Sequence, residues 1–221
     1  TLVTASATVE GEATGDASAE AYADIDADRD VIVTGGTSIV ADAVSNATGA
    51  SDASASADLY VDAGRDITIT GATVVSANAE VAEGSGSASA SATADFYAGS
   101  NVNVTGDITV EANALTGISD ASSASASAEL YVDAGNDLTI TGDVTVSAKA
   151  MGAATESASA SASAELYSGG DMTVIGDVND FADEGSLPDH ERLALLAGFG
   201  DELRALERGA PARVALFQQL A

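Results

Sequence analysis

Five tyrosines mark a repeat. Tyr22, Tyr60, Tyr97, Tyr131 and Tyr167 stand 38, 37, 34 and 36 residues apart, and each follows an acidic residue by two positions: Glu20, Asp58, Asp95, Glu129 and Glu165. A Ser/Ala-rich run precedes each tyrosine, and a Gly-containing turn and a Val/Ile/Thr run follow it. A second marker is nearly as regular: Gly35, Gly71, Gly106, Gly142 and Gly176 are 36, 35, 36 and 34 apart. Self-similarity at a period of about 36 residues points to a stacked repeat architecture, in which each unit buries its apolar side against its neighbours. Function is then to be sought on a surface, not in a pocket.

Within the repeat the apolar period is two. In residues 124–150, ASASAELYVDAGNDLTITGDVTVSAKA, one face carries Ala124, Ala126, Ala128, Leu130 and Val132, and the other Ser125, Ser127, Glu129 and Tyr131. Beyond the turn at 133–136, Leu138 and Ile140 oppose Thr139 and Thr141; beyond Gly142, Val144, Val146 and Ala148 oppose Thr145, Ser147 and Lys149. Such alternation specifies half-buried strands. Each repeat therefore supplies three strands, and equivalent strands stack in parallel. The expected fold is all-β, a parallel β-solenoid of about five repeats near residues 13–46, 47–81, 82–117, 118–155 and 156–185, with 1–12 a partial repeat. One coil per repeat gives a rise of about 24 Å at ~4.8 Å per coil, and two shorter coils would double it. Ala buries little apolar area, so the hydrogen-bond ladder between coils carries much of the stability.

The chain carries 35 Asp+Glu against 7 Lys+Arg, a formal net charge of -28. The first 185 residues hold only Arg29, Arg65 and Lys149 as basic groups, whereas Arg192, Arg204, Arg208 and Arg213 cluster after residue 186. Such acidity argues against nucleic acid or an anionic membrane as a partner, since both require a basic footprint. The absence of cysteine excludes disulfides and thiolate metal sites. No run of 18 apolar residues is present, so no membrane insertion is expected.

Three segments, GRDITITGATVVSA at 64–77, NVNVTGDITVEA at 101–112 and GNDLTITGDVTVSA at 135–148, carry a family resemblance. The chain resembles the β-helical repeat regions of filamentous-haemagglutinin-like proteins and other large bacterial surface adhesins, over residues 1–180. The resemblance implies an extracellular stalk, fibre or adhesin segment. The long Ser/Ala strand departs from the usual repeat, and no binding residues carry over from the family.

The ends differ from the middle. TLVTASATVEGE at 1–12 aligns with TVVSANAEVAEG at 73–84, so the chain begins at a third strand. At 178–183 the pattern fails, and the last repeat is expected to lack its third strand. Two readings follow: a fragment of a longer array, or a subunit whose residues 1–12 complete the last coil of another copy. The second gives a head-to-tail homopolymer, because a heterologous contact that does not close makes a filament. Residues 186–221 read as helical, capped at Ser186 or Asp189, with Leu193, Leu195, Leu196 and Phe199 on one face and a last segment of Val214, Leu216, Phe217 and Leu220 after Pro211. This segment is expected to cap the solenoid, dock on a neighbour or link to a further domain.

No constellation supports catalysis. The one histidine, His190, has acidic neighbours and reads as a surface residue, and no serine sits in a nucleophile-elbow turn. A polysaccharide-acting enzyme would need a carboxylate and basic cluster that three basic residues do not supply. The carboxylates remain. In register, Glu20, Asp58, Asp95, Glu129 and Glu165 would form a ladder at about 5 Å spacing with coupled titrations. A hard cation such as Ca²⁺ would relieve its repulsion. Asp30, Asp66, Asp137 and Asp171 at the turns, with the Asp24, Asp26, Asp28 run, form a second candidate cation set. The alternative for all of them is a hydrated acidic surface. Tyr22, Tyr60, Tyr97, Tyr131 and Tyr167 read as a stacking ladder that holds register, or as a stripe for a glycan or a neighbouring fibre. The sequon matches at Asn46 and Asn103 are of the kind that Ser/Thr-rich sequences produce by chance.

Overall fold

The computed structural model describes residues 1–11, 14–116, 123–152, 157–184 and 213–219. The chain winds as a parallel β-solenoid, one coil per repeat, with three strands per coil. Sheet A contains β1 (Leu2–Gly11), β4 (Thr37–Ala47), β7 (Thr73–Val81), β10 (Ile108–Thr116), β13 (Val144–Met151) and β16 (Val178–Glu184). Sheet B contains β2 (Ala17–Ala27), β5 (Ala53–Ala63), β8 (Ala88–Ala98), β11 (Ala124–Ala134), β14 (Ala158–Ser168) and, beyond it, β17 (Arg213–Gln219). The short sheet C contains β3 (Val31–Thr34), β6 (Ile67–Thr70), β9 (Val102–Thr105), β12 (Leu138–Thr141) and β15 (Met172–Ile175). All pairings are parallel except that of β17 with β14.

The period-two pattern sets the interior. Along β5 every second residue is buried, and its inward set is Ala53, Ala55, Ala57, Leu59, Val61 and Ala63. Sheet A answers with rows such as Ala41–Ala77–Ala112–Ala148. Small side chains on both faces bring sheets A and B close together. Larger buried residues, including Leu59, Phe96, Ile67, Leu138 and Ile140, lie in sheet C or near the end of the sheet B strands that leads into it. Each coil keeps the same spacing from the first residue of its sheet B strand to that of its sheet A strand: Ala17 to Thr37, Ala53 to Thr73, Ala88 to Ile108, Ala124 to Val144 and Ala158 to Val178. Variation in repeat length is confined to the sheet A strands and the loops that leave them.

Two expectations about the ends are corrected. The last repeat does have its third strand: β16 pairs in register with β13, Val144 with Val178 through Ala150 with Glu184. Val178 and Ala182 keep the inward alternation, and the edge of β13 offers the backbone partners that an irregular sequence can still use. Residues 213–219, read as helix, form the strand β17 instead, antiparallel on β14. An open sheet edge offers a row of unpaired N–H and C=O groups, and pairing there outweighs local helical preference. The remainder of the helical reading, with His190, lies outside the described residues.

Candidate functional site

The register that aligns the alanines does not align the tyrosines. Beside an all-serine row, Ser18–Ser54–Ser89–Ser125–Ser159, four further outward rows run along sheet B. The first is Glu20–Ser56–Ser91–Ser127–Ser161, and the second Tyr22–Asp58–Thr93–Glu129–Ser163. The third is Asp24–Tyr60–Asp95–Tyr131–Glu165, and the fourth Asp26–Asp62–Tyr97–Asp133–Tyr167. Glu20, Asp58, Asp95, Glu129 and Glu165 thus fall in three different rows, and the expected ladder of like charges does not form. Tyrosines and acids alternate instead along the third and fourth rows.

The last four tyrosines zigzag between those two rows, always by two residues, so each stays on the outer face. Diagonal neighbours in a sheet lie within reach of aromatic side chains. The ring centroids of Tyr60 and Tyr97 are 5.5 Å apart, those of Tyr97 and Tyr131 5.2 Å, and those of Tyr131 and Tyr167 5.3 Å. Tyr22 sits in the second row beside Asp58 and is 54% exposed. The Tyr167 hydroxyl donates to Glu165 Oε2. Burial, and then the charge of Asp95, push the Tyr97 hydroxyl up to about 12. Burial also raises Asp95, helped by the charges of Glu129 and Asp58. The strip is therefore a half-buried column of neutral phenols with carboxylates on both flanks.

The zigzag has an inner counterpart. Each of the last four tyrosines directly follows a large inward residue: Leu59, Phe96, Leu130 and Leu166. The inward rows read Ala23–Leu59–Ala94–Leu130–Ala164 and Ile25–Val61–Phe96–Val132–Leu166. In the first, a leucine is always followed by an alanine on the next coil. Volume is thus distributed so that successive coils interlock.

The turn acids have structural work. Asp66 Oδ1 accepts the Asn101 backbone N–H at 3.1 Å and its Nδ2 at 2.9 Å, and Asn101 Oδ1 accepts the Asp137 N–H at 3.2 Å. Asp137 Oδ1 accepts the Asp171 N–H at 3.0 Å. Sequence reasoning missed two further sets with the same role, Asp107–Asp143–Asp177 and Asp16–Asp52–Ser87. Their signal was an Asp, Asn or Ser immediately before a strand in successive repeats. Asp30 is held by Arg65, whose Nε and Nη2 reach Oδ1 and Oδ2 at 2.9 and 2.7 Å. Asp24 and Asp26 are exposed in separate rows, and Asp28 follows the end of β2. Among the described residues no three His, Cys, Asp or Glu side chains converge as a metal site.

Replacing Asp143 by Ala removes the acceptor for the Asp177 N–H and is expected to cost about 1 kcal/mol at this exposed corner. Asp143→Asn is expected to be near neutral, since Asn101 already performs this role. Urea denaturation midpoints of the two variants check both statements.

Comparison with protein-family models, curated proteins and solved structures returns no match. Among the described residues no helix is long and apolar enough to cross a membrane.

Proposed function

We propose that this chain is a structural protein without catalytic activity: an acidic β-solenoid rod, extracellular or at a cell surface, that lengthens by head-to-tail stacking of copies. The observation that carries the reading is the inventory of strands at the two ends. Sheet A has a strand, β1, beyond the first full coil, and sheet B has a strand, β17, beyond the last. Stacked on one axis, β1 of an incoming copy lies against β16, and β17 lies against the incoming β2. Together they make one shared coil, short only of its sheet C strand. Residues 1–12 thus begin a coil beside β16; they do not fill a gap in the last repeat, because β16 already occupies that place. Each new contact extends a hydrogen-bond ladder from an exposed edge, the usual route by which strands recruit a second chain. The resemblance of the repeats to surface adhesins supports the extracellular setting.

Electron microscopy of the purified chain tests this reading. Filaments about as wide as the single rod are expected, and deletion of residues 1–11 should abolish them. A strictly monomeric chain at every salt and calcium concentration would sink it. That outcome would leave a second reading, an adhesin stalk that contacts a glycan, calcium or a host surface. What favours the second reading is the half-exposed tyrosine column between its carboxylates on sheet B.

A further inference from the structure

Apart from buried hydroxyls such as those of Thr37, Ser45 and Thr73, the inward rows of sheet A are apolar until β16, where Asp180 and Glu184 stand at inward register positions. Val3, Ile39, Val75, Val110 and Val146 form a row through sheet A, and Asp180 of β16 continues it. Both Asp180 carboxyl oxygens are sealed from solvent and make no well-formed hydrogen bond among the described residues; the Ala164 peptide N–H bears on the carboxyl without meeting full hydrogen-bond geometry. Its register neighbour on β13 is Val146, and the buried residues at the matching end of β14, which packs against β16, are Ala162, Ala164 and Leu166, none of them ionisable. On β16 itself, Asp183 belongs to the outward row of Lys149, and Glu184 ends the strand. The one ionisable residue of β17, Arg213, stands at the register position of Tyr167.

An unpaired carboxylate in such a place is costly, and a neutral carboxyl much less so. We infer that Asp180 gates the end of the rod: protonated, it keeps β16 seated as a docking edge for a second copy of this chain, and ionised, it unseats that edge. This rests on the head-to-tail reading above. In the shared coil, Val3 of the incoming copy falls next to Asp180, so docking buries the carboxyl further and favours its protonated form.

Burial raises Asp180 to about 7, with the Ala164 peptide offsetting part of the effect. The folded value lies above the unfolded one. The contribution of the last coil to stability is therefore greatest in acid, falls as pH rises from the ordinary carboxylate range, and is lost by about neutrality. Ordinary carboxylates are already ionised at about pH 5, so the window from there to about pH 8 sets aside most of the acidic surface, and the Asp180 variants, which retain the raised Asp95, separate the two. The two variants below retain the chain's one histidine, His190, and so control for it.

The test uses the full chain and its Asp180→Asn and Asp180→Val variants at about pH 5 and about pH 8. Two quantities are read: sedimentable polymer, and hydrogen-exchange protection of β16 amides corrected for intrinsic rates. The wild type is expected to lose at least about tenfold in polymer and in β16 protection at the higher pH, one factor of ten corresponding to one pKa unit of linkage. Both variants should be insensitive to pH. Equal β16 protection at the two pH values in the wild type overturns the gate, whatever the assembly state. So does a pH dependence that persists in both variants. Protection that follows Asp180 with no polymer from any of the three proteins supports the gate, and counts against the assembly reading and the docking role.

Discussion

Replacing Gly106 by alanine is expected to be among the most damaging single changes available in the rod, costing about 3 kcal/mol or more. Gly106 turns the chain from β9 towards β10 at φ 129°, a conformation that L side chains rarely adopt. A Cβ there would also meet the Gly71 carbonyl oxygen at 2.5 Å and its carbon at 2.6 Å. Neither coil can yield. The Gly71 N–H donates to Thr105 O at 2.7 Å and the Gly106 N–H to Thr141 O at 2.8 Å, so moving one corner disturbs two ladders. Gly35 separates the two causes. It has φ 97°, and a methyl group added to it would have nothing within 4 Å, because Gly35 lies on the first coil. Gly35→Ala should cost only the backbone term, about 1–2 kcal/mol. Denaturant midpoints of the two variants, read with the m-value, check this difference. Equal losses would show that steric contact between coils contributes nothing.

These glycines also explain how much of the fold was legible. Sheet B strands start at Ala17, Ala53, Ala88, Ala124 and Ala158, and their spacing is that of Gly35, Gly71, Gly106, Gly142 and Gly176. A corner that tolerates only glycine has no freedom to drift, so its spacing reports the true period. An outward tyrosine can move by two residues and keep its face. Its spacing therefore departs from the register by two at every step, enough to turn an apparent acid ladder into a checkerboard. Strand faces were readable because alternation is local. Row membership was not, because it depends on which marker the backbone obeys.

The ends were harder for a related reason. Strand β16 contains Asp180 and Phe181 where sibling strands carry Val146 and Ser147, and the alternation rule therefore excludes it. Pairing along an existing edge does not require every side chain to fit, since the backbone groups of β13 are satisfied by any extended segment. The same edge logic drew residues 213–219 into strand β17 despite a helical spacing of apolar residues. The resulting half-coils, one in sheet A and one in sheet B, take the place of a missing strand in the end-to-end stacking proposed above.

Phe96→Ala is expected to cost about 3–5 kcal/mol, the range for emptying a fully buried aromatic site. Phe96 is 0% exposed and lies between Val61 and Val132 in its row. The informative comparison is the double variant Phe96→Ala with Ala94→Leu, which returns much of the lost volume two positions away on the same coil. If only total core volume mattered, the second change would recover most of the stability. The interlocking rows demand the opposite result. A leucine at position 94 would stand directly between Leu59 and Leu130, placing three large side chains in consecutive coils. Overpacking of this kind typically adds about 1–3 kcal/mol of its own. The double variant should therefore be no more stable than Phe96→Ala, and less stable if the coils cannot spread. The outer face provides an independent readout: displacement of β8 should disturb the contacts of Tyr97 with Tyr60 and Tyr131, visible in tyrosine near-ultraviolet circular dichroism. Full recovery of stability with an unchanged tyrosine signal would show that the inner and outer zigzags are not coupled.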